Sequence, residues 1–194
     1  MPLESTHHAL KEWAVAVASL RAGSSMATVR KGGIREEGRE FRMEHRQFVF
    51  FPTFEHQKAE QLQPRFLEDL TRIQAAAPTD GQVCLDTWAA VTDVVEVTGE
   101  REVRSLGEFY VFSEAYALER LQWRPRKPLH VLVLRVYRLA TPLMLPVLDR
   151  YGGCKSWLEL ATTLDLDTAY PALPDEVFAR ARERALAALR GNAT

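Results

Sequence analysis

The stretch LHVLVLRVYRL, residues 129–139, decides what kind of molecule this chain makes. It is a run of apolar and β-branched side chains with no helical period, so it reads as a β-strand, and the elements around it must build a sheet to receive it. Upstream, SEAYALERLQW has helical spacing with Ser113 as N-cap and Glu114 in the first turn. TGEREVRSL before it reads as a charged link, and VCLDTWAAVTDVVEV as one long strand, or two broken near Thr92 and Asp93. KAEQLQPRFLEDLTRIQAAAP predicts a helix from Arg65 to Ala76, begun by Pro64 and closed by Pro78. FRMEHRQFVFFP is a further strand, alternating at first and wholly apolar from Phe48 to Phe51, as where both faces are buried. MATVRKGGI is a short strand closed by Gly32 and Gly33, and REEGRE a loop. At the N-terminal end, Ala9, Leu10, Trp13, Ala14, Val17 and Leu20 recur at three and four residues, which predicts a helix from His7 to Arg21 stopped by Gly23.

Downstream, PDEVFARARERALAALRG is an amphipathic helix over about 174–190, with Pro174 and Asp175 at its start and Gly191 at its end. No repeat or Gly/Ser-rich linker divides the chain, so residues 1–194 are expected to form one domain. Strands and helices do not alternate as parallel βαβ units would. The expected fold is α+β: a curved, mostly antiparallel sheet or small β-barrel with flanking helices and a C-terminal amphipathic helix.

Composition narrows the function classes. With 194 residues, 46% apolar and 26% charged, the chain is an ordinary globular protein, and its net charge of -1 offers no general attraction to nucleic acid. Any such binding has to rest on a local basic patch. Cys84 and Cys154 form no CxxC pair, which suits neither a zinc site nor a disulfide framework and points to a reducing compartment. The opening MPLESTHHALKEWAVAVASLRAG resembles neither a signal peptide nor a membrane span, so the expected location is cytoplasmic, with no membrane partner.

The densest polar constellation lies between Arg30 and His56, with Lys31, Arg35, Glu36, Glu44, His45, Arg46, Thr53, Glu55 and His56. If residues 27–34 and 41–51 pair as neighbouring strands, the Gly32-Gly33 turn and the EHR segment come together, and a cationic pocket with a carboxylate and an imidazole results. Each part also has a plainer reading: Lys31 as a turn residue, REEGRE as a solvated loop, His45 or Arg46 simply outward on a strand. Glu55 and His56 follow a buried run and a proline where the chain leaves the core, and they are the better candidates for a site. HExxH and paired Cys/His spacings are absent, so no metal and no cofactor are expected. Cys154, with Lys155 beside it, reads as a small residue in a tight turn made by Gly152 and Gly153. RLQWRPRKPLH, residues 120–130, sets Arg120, Arg124, Arg126 and Lys127 around Trp123, a composition that single-stranded nucleic-acid surfaces use and that surface loops also share.

On ALKEW (9–13), RKGGIRE (30–36), FPTFEHQ (51–57), LRVYRL (134–139) and YGGCKSW (151–157), the chain resembles the bacterial domain-of-unknown-function family 1802, over Ala9 to about Leu160. That resemblance implies no activity. The order of elements is also similar to the PUA-like superfamily, including ASCH and EVE domains, which implies a small curved barrel of a kind that often binds RNA or modified bases. Gly23 and Arg30 fit the ASCH pattern, but Ser25 and Met26 stand where lysine is expected, so no catalytic residue is carried over.

Three readings follow. The first is a nucleic-acid, nucleotide or modified-base binding module, RNA or DNA, using Lys31, Gly32, Gly33, Arg35, His45, Arg46 and Thr53, with Arg124 and Arg126 on phosphates. The second is a hydrolase of a modified base or nucleotide, with Glu55 as general base and Lys31 or His56 stabilising charge. The third is a protein-interaction domain that docks through its C-terminal helix. Trp13, Phe50, Val133 and Leu134 are expected in the core.

Overall fold

The computed structural model describes residues 5–31, 45–123, 125, 127–153 and 155–191. Seven strands, β1 Ser5–Trp13, β2 Ala27–Arg30, β3 Gln47–Thr53, β4 Gln82–Val97, β5 Leu129–Pro146, β6 Trp157–Asp165 and β7 Tyr170–Pro171, form one sheet. The strand order is β2-β5-β4-β3-β1-β6, with β7 on β5. β1 runs parallel to β3, and the other described pairs are antiparallel. Five helices flank it: α1 Ala14–Ala22, α2 Leu67–Ala75, α3 Glu100–Arg104, α4 Glu114–Gln122 and α5 Asp175–Leu189. The architecture is α+β, as expected.

The apolar runs are explained by burial on both faces. In β3, Phe48 and Phe50 enter one core cluster with Leu10, Leu132 and Leu134, while Val49 and Phe51 enter another with Leu85, Trp88 and Leu158. In β5, Leu129, Val131 and Val133 face a third cluster, where α2, α4 and α5 contribute Leu70, Leu121 and Leu186. Phe50, Val133 and Leu134 are core residues, as expected.

The N-terminal reading is corrected. Residues 5–13 are strand, and the helix begins only at Ala14. His7, His8 and Trp13 are indifferent helix formers, and pairing with β3 on one side and β6 on the other outweighs a spacing that also fits a helix. Gly23 ends α1 as expected, at φ 74°. A second correction concerns the link before α4, which contains α3. Ser113 caps α4 by accepting the Tyr116 N–H, as its sequence predicts. The long strand β4 is continuous, with register shifts at Leu85/Thr87 and Val91/Asp93, and Thr92 in the second shift donates its hydroxyl to the Val133 carbonyl.

A third correction bears on the site. β2 pairs with β5, and β3 with β4 and β1, so β2 and β3 are not neighbours. The sheet instead curls until β2 meets the end of β1. There the Glu12 carboxylate accepts from Thr28 Oγ1 at 2.9 Å and Arg30 Nη2 at 3.0 Å.

Candidate functional site

At the end of β3 the chain turns through Phe54 to Gln57, and polar side chains hold that turn. Thr53 Oγ1 donates to the Glu12 carbonyl at 3.2 Å. Gln57 is buried: its Nε2 donates to the Phe54 carbonyl at 3.2 Å and its Oε1 accepts the Val15 N–H at 3.0 Å, satisfying an open donor at the start of α1. Glu55 and His56 are left exposed between these anchors. Among the described residues His56 is the one non-glycine with positive φ, at 60°.

The turn forms one wall of a solvent-open cleft of about 840 Å³. The end of β1 supplies Lys11, Glu12 and Trp13, the turn supplies Thr53, Glu55 and His56, α4 supplies Arg120, and the 151–156 loop supplies Tyr151 and Lys155. A last wall, from Pro78 to Val83 with Val147, is mostly apolar. Lys11 binds that 151–156 loop to β1: its N–H donates to the Ser156 carbonyl at 2.8 Å and its Nζ to the Gly153 carbonyl at 3.0 Å. Half-buried Trp13 packs edge-on against Phe112 at 5.0 Å between ring centroids, with Tyr116 beyond at 6.4 Å. The Arg120 guanidinium lies 5.1 Å from the Trp123 ring, whose residue is 45% exposed. Since Glu12 is paired with Arg30, Glu55 is the acid on the walls that stands against Lys11, Arg120 and Lys155. The cleft is cationic with an aromatic floor, a combination that suits an anion carrying a flat ring.

The residues expected to share a site do not all meet. Thr53, Glu55 and His56 line the cleft. Lys31 does not: it is buried, and its Nζ donates to the Leu121 carbonyl, tying the end of β2 to the end of α4. Burial, and then repulsion from Arg120, hold its ammonium below the ordinary lysine range. Arg46 precedes the first residue of β3 and Thr53 is the last, so about 20 Å of extended chain separates them. His45 stacks on His8 at 3.6 Å and meets the Trp157 edge at 5.2 Å, away from the cleft walls. Gly32, Gly33, Arg35, Arg124, Arg126 and Cys154 lie outside the described residues. Trp13, expected in the core, is half-buried: it packs against the core cluster and also lines the cleft, where Lys11, Lys155 and Tyr151 were not foreseen. The alternation of ALKEW, which sets Lys11 opposite Leu10 once the segment is extended, is the signal that locates Lys11. Among the described residues no group of three or more His, Cys, Asp or Glu is placed to hold a metal ion, and no helix is long and apolar enough to cross a membrane.

Residues 9–184 match the model of the family described as Domain of unknown function (DUF1802). The chain belongs to that family. The DUF1802 region extends beyond Leu160 into α5 and takes in the cleft residues from Lys11 to Ser156. ALKEW, FPTFEHQ and YGGCKSW, three of its segments, meet at the cleft. No curated protein matches the chain. Among solved structures, it is similar to the ASCH protein ZmASCH of Zymomonas mobilis, crystallised as a serine-to-alanine mutant. The two are 10% identical, with 91% of this chain and 94% of that chain covered and a TM-score of 0.44.

Proposed function

We propose that the protein is a nucleic-acid or nucleotide-binding module of PUA-like type, whose cleft stacks a base on Trp13 and takes phosphates on Lys11, Arg120 and Lys155. The observation that carries this reading is the half-buried Trp13 in a cleft that Lys11, Arg120 and Lys155 also line. Arg124 and Arg126 follow Arg120 in sequence. A hydrolase using Glu55 as base is the second reading, favoured by the exposed carboxylate on the same wall. The interaction-domain reading has less support, because α5 already buries Ala185, Leu186 and Leu189 against its own core.

Fluorescence anisotropy with short single-stranded and duplex RNA and DNA at two salt concentrations tests the proposal. Binding should weaken with salt by about 0.7 in log-log slope per neutralised phosphate on a single strand. Replacing Arg120 and Lys155 together by Ala should flatten that slope and weaken all sequences alike. Glu55→Gln should bind as well as the wild type or slightly better, whereas an enzyme would keep its ligand and lose turnover. Absence of salt-sensitive binding to every oligomer would defeat the binding reading and leave the hydrolase.

A further inference from the structure

A side chain with a Cβ is disfavoured in the left-handed region relative to glycine, although His, Asn and Asp enter it more readily than most. His56 bears that cost in an exposed turn where glycine or asparagine would fit. The fold does not need the imidazole there. Thr53 to Glu12 and Gln57 to Phe54 and Val15 are the bonds that fix the turn, and none involves the His56 ring. The same bonds anchor the turn on both sides of His56, which lines the cleft. Strain that the fold retains without structural use points to a task outside the fold.

The surroundings indicate which task. Glu55, adjacent on the same wall, is the wrong sign for an anion, while Lys11, Arg120 and Lys155 stand on the other walls, with Glu12 neutralised by Arg30 and Tyr151 beside them. A donor that offsets Glu55 on this wall would let an anionic group be gripped from both sides. We propose that His56 is a specificity-determining contact whose ring N–H donates to the phosphate of a nucleotide or nucleic-acid strand in the cleft. This rests on the nucleotide-binding reading above.

The test separates stability from affinity. His56→Gly removes the strain with the ring, and His56→Asn keeps a left-handed-tolerant residue with a shorter donor. Both should show an unchanged or higher urea midpoint. For a nucleoside monophosphate and for a short single-stranded oligomer, measured by calorimetry and anisotropy, His56→Gly should weaken binding about tenfold or more, with His56→Asn between it and wild type. Weakening confined to the oligomer would assign the contact to an internal phosphodiester, and weakening of both to a phosphate at the reach of a single nucleotide. The unphosphorylated nucleoside should bind all three proteins alike. Equal affinity of wild type and His56→Gly for both phosphorylated probes overturns the inference while leaving the binding reading intact. A lower midpoint in His56→Gly overturns the strain argument. Absence of wild-type binding to either probe overturns both readings together.

Discussion

Gln57 divides one amide between two backbones, accepting from Val15 at the start of α1 and donating to Phe54 across the turn. Removing it strands a buried N–H, and an unsatisfied buried donor costs more than the hydrogen bond itself contributes. Gln57→Ala should therefore lower stability by about 1–3 kcal/mol in urea unfolding, with the slope unchanged. At this scale the sequence shows that a polar group follows a buried run, and that Glu55 and His56 leave the core. It does not show that the amide faces inward, because its partner Val15 is 42 residues away in the chain.

Among the elements, α5 is fastened to β4 where its register shifts. Arg182 donates from Nε to Asp93 Oδ2 at 2.6 Å and from Nη2 to Oδ1 at 2.5 Å, and Asp93 sits where the β4 register shifts. Burial works to raise the Asp93 carboxyl, but the hydrogen bonds from Arg182 and the nearby positive charge outweigh it, so the group lies below the ordinary aspartate range. A depressed folded value means that the stabilisation is present above the unfolded value of about 3.9 and is lost as pH falls through the folded one. Asp93→Asn should thus be less stable than wild type near pH 7, and the gap should narrow as denaturation is measured from pH 5 down to pH 3. A constant gap would show that the pair does not couple to protonation. Elements with local signatures are legible: the α4 cap at Ser113, the amphipathic α5, the wholly apolar stretches of β3 and β5. β1 and β6 are not. β1 carries a helix-compatible spacing, and β6 keeps one apolar face only through Leu158, Leu160 and Leu164, with Thr162 interrupting the alternation.

For the whole molecule, the cleft is a product of topology. Its walls come from residues 11–13, 51–56, 78, 81–83, 120, 147, 151–153, 155 and 156, which the curled sheet brings together. The FPTFEHQ wall is legible because a strand that ends in polar residues marks its own exit. The facing walls are not, since no local pattern says that β1 lies beside β3. Trp13 is one of the lining residues, and Trp13→Leu should weaken oligomer binding by about 1–3 kcal/mol per stacked base in anisotropy titrations, while leaving the salt slope in place because no cation is removed. The position of β1 also sets the order in which the molecule can be completed. It is hydrogen-bonded to β3 on one side and β6 on the other, with His8 opposite Glu159, so this segment waits for one about 150 residues further along the chain. At about 5–20 residues per second that wait on the ribosome is roughly ten seconds or more. Until then β1 has one edge without its partner, and an open strand edge is where pairing with another chain begins, so completing this pair late leaves the sheet exposed to mispairing while it forms.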